Sequence, residues 1–124
     1  MSLRIQGYAA VFDRVDRAGD VFRPGVFADA VPVPLLMQHG GAPVGEIWAI
    51  GENAHGLWIE ACVSDPEVVR LVRGGVLRGL SVGYRAMSVR QGAWREVLRA
   101  SLAEVSLVAV PMQAAARVET VIEI

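Results

Sequence analysis

"RGLSVGYRAMSVRQ", residues 78–91, contains Gly79-Leu80-Ser81-Val82-Gly83, a Gly-x-Ser-x-Gly pattern. In the α/β-hydrolases this pattern sits on a sharp turn from strand to helix, at the top of a large doubly wound sheet. Two features exclude that setting. The chain has 124 residues, too few for such a sheet. After Gly83 it reads "YRAMSVRQ", alternating as a strand does and not with a helical period. A nucleophile at Ser81 therefore has to work from a β scaffold.

Side chains on a strand alternate between its faces. Val76, Leu80, Val82, Tyr84 and Ala86 share one face and read as core. Ser81 points to the other face, between Gly79 and Gly83. Two glycines weaken a strand and need a reason. One is clearance, letting another backbone approach the hydroxyl. The alternative is a bulge or barrel bend with Ser81 merely exposed.

Outward from this segment the chain is rich in strands. "LRIQGYAAVF" (3–12) puts Leu3, Ile5, Ala9 and Val11 on one side, with Arg4, Gln6 and Tyr8 on the other. "DRVDRAGDVFRPG" (13–25) reads as a polar loop, and "VFADAV" (26–31) as a short helix. "VPLLMQH" (33–39) is a short strand ending at His39 and closed by "GGAP". Residues 44–63 form a hairpin around "GENAHG". In "SDPEVVRLVRGG" (64–75), Asp65 is a helix N-cap and Pro66 suits the first turn. Glu67 favours the positive helix end, and Gly74 and Gly75 stop the helix. Two long strands follow, 76–89 and 94–110, joined by "RQGA" and ended by Pro111. "ARVETVIEI" (116–124) is a last strand. The expected fold is mainly β (α+β): one domain over 1–124, an antiparallel barrel with one to three short flanking helices.

Hydrophobic residues make up 53% and charged residues 20%, the balance of a compact soluble domain. No apolar run reaches the length of a membrane span, and the N-terminus does not read as a signal peptide. Cys62 is the single cysteine, on an apparent strand, and reads as a buried thiol; no internal disulfide is possible. All 12 basic residues are arginine, which removes lysine chemistry: no Schiff base, no Ser–Lys dyad, no P-loop. They are dispersed and the net charge is −1, so nucleic acid is not an expected partner. No metal or cofactor is expected.

A serine hydroxyl needs a base, commonly histidine, and often a third group to orient that base. There are two histidines. His39 ends an apolar strand before a Gly-Gly turn and is the favoured base; the alternative is a hydrogen-bonded strand-end histidine. His55 lies in a hairpin turn, where a solvated histidine is ordinary. Glu104 is the one charge in "SLAEVSLVAV" (101–110). A carboxylate in a central strand is costly unless paired, and an imidazolium would pair it. Its alternative is a solvated strand-end carboxylate. Glu46 and Glu60 have solvent faces and are weaker candidates. Arg85 shares the face of Ser81, while Arg78 points away from it. Backbone N–H groups near Ser81 are candidate oxyanion donors.

"GYAAVFDRVDRAGDVFRPGVF", "LLMQHGGAPVGEI", "GLWIEACV", "LRGLSVGYR" and "AEVSLVAVP" occur in an order that resembles the prohead proteases of tailed bacteriophages, over about residues 5–118. These are capsid-maturation serine proteases distantly similar in fold to the herpesvirus assemblins. The resemblance implies a herpesvirus-protease-like β-barrel with surrounding helices. It implies peptide-bond hydrolysis inside the immature capsid, in the bacterial host cytoplasm. The substrates it implies are the scaffolding portion of the major capsid protein and often the enzyme itself. It places the family histidine on His39, the serine on Ser81 and the acid on Glu104. The herpesvirus relatives use a second histidine, which keeps His55 open as third member, and they dimerise. Gly40 departs from the acidic residue that often follows the family histidine. The chain is short for the family and shows no long tail for scaffold attachment. A prophage or gene transfer agent is a possible source. The rival readings are a catalytically inactive capsid-assembly or scaffold-binding barrel, and a small-ligand-binding barrel, which would need a large apolar lumen.

Overall fold

The computed structural model describes all 124 residues. Eight strands and one helix follow one another: β1 (Leu3–Val11), β2 (Asp20–Phe22), β3 (Leu35–Met37), β4 (Gly40–Glu52), β5 (Gly56–Val63), α1 (Pro66–Arg73), β6 (Gly79–Gln91), β7 (Arg95–Val108) and β8 (Val118–Glu123). The strands make one sheet in the order β2-β7-β3-β4-β5-β1-β8, with β6 on β7. Alternation predicted β1 well: Leu3, Ile5, Ala9 and Val11 are buried, while Arg4, Gln6 and Tyr8 are half-buried. The β4–β5 hairpin turns at Asn53, whose side-chain carbonyl accepts the N–H groups of His55 and Gly56. In α1 the Asp65 carboxylate accepts from Glu67 and Val68, and Val68, Val69 and Val72 are buried. The core is a cluster of 24 buried side chains, with Phe27, Leu35, Leu57, Ile59, Leu80 and Leu107 among the most enclosed.

The sheet does not close into the expected barrel, and it is not wholly antiparallel. β2 and β3 both pair with β7 in parallel, at Asp20–Phe22 with Arg95–Val97 and at Leu35–Met37 with Val105–Leu107. Between β6 and the start of β8 there is one isolated bridge, Gly79 with Arg117. Beyond it β8 leaves to pair with β1, and the free edge of β6 gains no partner strand. The far end of the β6–β7 hairpin runs past the core, leaving Met87 and Val89 exposed.

Smaller expectations also change. "VFADAV" is a series of turns and not a helix. Its i→i−3 bonds run from Val26 to Arg23, Ala28 to Gly25 and Ala30 to Phe27. The Glu52 carboxylate accepts from Gly25 and Phe27 at 2.9 and 2.7 Å, so the segment is held from outside its own sequence. The polar loop contains β2. Strand β3 ends at Met37, leaving His39 in a turn, and "GGAP" begins β4. Val76, ahead of β6, is exposed and not part of the core, while Leu80 is enclosed and Val82, Tyr84 and Ala86 pack on the core's margin. Cys62 is half-buried, not buried. No helix is long and apolar enough to cross a membrane.

Candidate active site

β7 is the ruler of the site. β6 lies along one edge, with Ser81 opposite Ser106 and Gly83 opposite Glu104. β3 lies along the other edge, in parallel, with Leu36 opposite Ser106. The chain turns sharply after β3, and Gln38 and His39 take left-handed conformations, φ +51° and +61°. That turn carries the imidazole back over β7. His39 Nδ1 lies 2.5 Å from Glu104 Oε1. An ionised carboxylate only accepts, so Nδ1 carries the proton and Nε2 of the neutral ring keeps its lone pair. The structure thus places Glu104 on His39, in the turn that follows β3.

Ser81 is 6% exposed and lines the same two cavities as His39. No hydrogen bond joins the two side chains here; nucleophile–base contacts are often looser before substrate binds. One cavity, of about 110 Å³, has apolar walls that include Ala9, Phe22, Leu80 and Met112. Its polar groups include Asp16, Asp20, Tyr84 and Gln113. The other is an open groove of about 530 Å³ that also takes in Arg17, Gln38, Val108 and Val110. Around the inner cavity the polar groups are tied down. Asp16 accepts from the N–H groups of Ala18 and Asp20. Asp20 accepts from the Tyr84 hydroxyl at 2.9 Å and from Arg95 at 3.2 Å. Burial, then the bond to Asp20, pushes the Tyr84 phenol well above its ordinary value, so it stays protonated as a donor. Gln113 bonds both backbone groups of Val11 at 2.8 Å and fixes the segment after β7.

The two glycines around Ser81 have separate reasons. A Cβ on Gly83 would stand 2.3 Å from Glu104 Oε1, and one on Gly79 would stand 2.7 Å from the Pro111 ring. Clearance is the explanation, but what approaches is a carboxylate and a proline ring, not a backbone near the hydroxyl. His55 does not join the site. It is exposed in the β4–β5 turn and packs against Tyr8 with the rings tilted by 60°, centroids 4.6 Å apart. Arg85 is exposed and lines neither cavity that Ser81 lines. Arg78 donates to the Val72 carbonyl at the end of α1. No group of three or more His, Cys, Asp or Glu side chains is placed to hold a metal.

Sequence reading missed Ser106, Arg17, Asp16, Asp20 and Gln113. Only Ser106 left a signal: it is two residues from Glu104 on one strand and so shares its face. The others sit in segments without periodicity.

The fold places the chain among proteins built like the herpesvirus proteases. KSHV protease, solved with a hexapeptide phosphonate inhibitor, superposes with a TM-score of 0.71 at 15% identity, covering 100% of this chain and 66% of that one. Varicella-zoster virus protease gives 0.63 at 17% identity, covering 95% and 63%. The sequence narrows this to a family: residues 1–123 match the caudovirus prohead serine protease model, and the chain belongs to that family. It is 29% identical over 126 residues to the prohead protease of Escherichia phage T5, and 28% identical over 91 residues to that of Enterobacteria phage HK97. Those alignments cover 88% and 64% of this chain but span 58% and 40% of the phage proteins.

Proposed function

We propose that this chain is a serine endopeptidase of capsid maturation, with Ser81 as nucleophile, His39 as general base and Glu104 as the acid that orients it. One observation carries the reading: a carboxylate 2.5 Å from the ring nitrogen of a histidine that shares two cavities with the serine. Ser81 Oγ attacks the carbonyl carbon of the scissile peptide, and its proton passes to His39 Nε2. Glu104 holds the imidazole in the tautomer this needs and stabilises the imidazolium. As the tetrahedral intermediate collapses, the same proton goes to the leaving amine. Water then attacks the Ser81 ester, gives a proton to Nε2, and the serine is regenerated.

The substrate is the scaffolding portion of the major capsid protein, and the enzyme itself, within the immature capsid in the host. Family membership supports this choice. Self-association is a further expectation of the herpesvirus-like fold. The test is co-expression with the cognate capsid protein and inspection of processing on a gel. Cleavage abolished by Ser81→Ala and by His39→Ala is the expected result. Processing unchanged in both variants overturns the site, and a wild-type chain that binds the capsid protein without cutting it makes this a scaffold-binding protein. A fluorophosphonate probe should label Ser81 and no other residue.

A further inference from the structure

We propose that Ser106 is a positioning residue of this site: it locks the Glu104 carboxylate and the His39 backbone to one hydroxyl, and so fixes the imidazole for proton transfer. The inference rests on the reading of His39 and Glu104 as base and acid.

Ser106 is fully enclosed, at 0% exposure, near the C-terminal end of β7. A buried hydroxyl is costly unless bonded, and this one uses both its capacities. It donates to Glu104 Oε2 at 2.7 Å and accepts the N–H of His39 at 3.0 Å. With the contact between His39 Nδ1 and Glu104 Oε1, the three residues close a ring of hydrogen bonds. The ring holds two things that would otherwise move. One is the carboxylate, whose free rotation would turn Oε1 away from the imidazole. The other is the turn. Left-handed backbone costs a non-glycine residue about 1–2 kcal/mol, and Gln38 and His39 adopt it in succession. Three bonds to β7 and the residue after it hold that turn: Gln38 N–H to the Leu107 carbonyl, Ala109 N–H to Gln38 Oε1, and His39 N–H to Ser106 Oγ. Only the last also touches the acid.

Ser106 is not a second nucleophile. Its proton lies on Glu104, and it lines neither of the cavities that Ser81 and His39 share. Substrate does not reach it, so its loss should change turnover and not binding.

Two measurements test this. In the full chain, Ser106→Ala should lower kcat about 10–100-fold, the usual scale for partners that orient a functional group, with KM within about twofold. Ser106→Thr, which keeps the hydroxyl, should recover most of kcat. The second measurement needs no activity. In a Ser81→Ala background, the low-field proton resonance of His39 Nδ1 should be lost in Ser106→Ala and kept in Ser106→Thr; a His55→Ala variant makes the assignment. If Ser106→Ala does not fold by near-UV circular dichroism, the near-isosteric Ser106→Cys carries both measurements. Wild-type kcat together with an unchanged resonance in the Ala or Cys variant overturns the proposal and leaves the protease reading standing. A resonance that depends on Ser106 in a chain that cuts no capsid protein leaves the positioning role intact and removes the protease reading.

Discussion

The two histidines occupy nearly the same local setting and end in different chemistry. Each lies in a turn before an antiparallel strand, and each is followed by glycine, His39-Gly40 and His55-Gly56. His55 sits in a turn satisfied locally by Asn53, and its ring rests on Tyr8 at the surface. His39 sits in a strained turn fastened to β7, with a carboxylate on one ring nitrogen and the cavities of Ser81 beside it. What separates them is the strand each turn folds back upon. A histidine gains a role in catalysis from non-local neighbours, and the local sequence does not display those.

The strongest way to break this comparison is to exchange the outcomes. His39→Ala and Ser81→Ala should each lower capsid-protein cleavage by at least about a thousandfold. His55→Ala should stay within about twofold of wild type and fold normally. An inactive His55→Ala beside an active His39→Ala, read on the same gel, would reverse the assignment.

Next in size is the acid. Glu104→Gln should cost roughly 10³–10⁴-fold in kcat, because an amide no longer enforces the tautomer or stabilises the imidazolium. The fold should survive, as judged by circular dichroism. Activity near wild type would show that the short His39–Glu104 contact is structural only.

Gly83→Ala sharpens the same point without removing any catalytic group. Its methyl would meet Glu104 Oε1 at 2.3 Å and press the carboxylate off the ring. A loss of about 10–100-fold in kcat is expected, with KM retained. Gly79→Ala meets the Pro111 ring instead, so it should lower Tm, by an overpacking cost of about 1–3 kcal/mol, more than it lowers turnover. Equal effects of the two on kcat would refute the division between them.

The smallest effect compares two carboxylates of β7. Glu104 faces a histidine, while Glu96 bonds Arg90 and Arg23. Those bonds, Arg90's first, hold the Glu96 carboxyl down at about 2, below its ordinary 4.5. A depressed carboxylate stabilises the fold above its unfolded-state value, and that stability fades as pH falls toward the folded-state value. Wild-type Tm should therefore fall as pH drops from 4.5 toward 2, and Glu96→Gln should flatten part of that fall. Both partners lie near the surface, so the change should be slight. Identical acid limbs for the two proteins would dismiss it.

Much of this was legible without coordinates, for particular reasons. The strand around Ser81 followed from alternation after Gly83, and α1 from Asp65, Pro66 and Glu67 at its start and Gly74 and Gly75 at its end. Ser81 came from the Gly-x-Ser-x-Gly pattern, and His39 and Glu104 from scarcity: two histidines in the chain, and one charge in an apolar run. β3 was read from its apolar run, though with an end two residues too late. β2 was harder: it is three residues long, too short for a period, and pairs with β7 in parallel. The segment at 26–31 read as a helix; the Glu52 carboxylate that holds its turns lies on a distant strand.

The amino-acid sequence by itself determined a strand-rich domain, its capped helix, and the few side chains able to carry acid–base chemistry. These depend on local spacing and on which residue types are present. The tertiary structure alone decided that the sheet stays open, that β7 runs between Ser81 and His39, and that Ser106 ties the acid to the turn. The physical reason is that parallel pairing, cross-strand register and a closed ring of hydrogen bonds join residues far apart in the chain, and such contacts leave no periodic trace in the order of the residues.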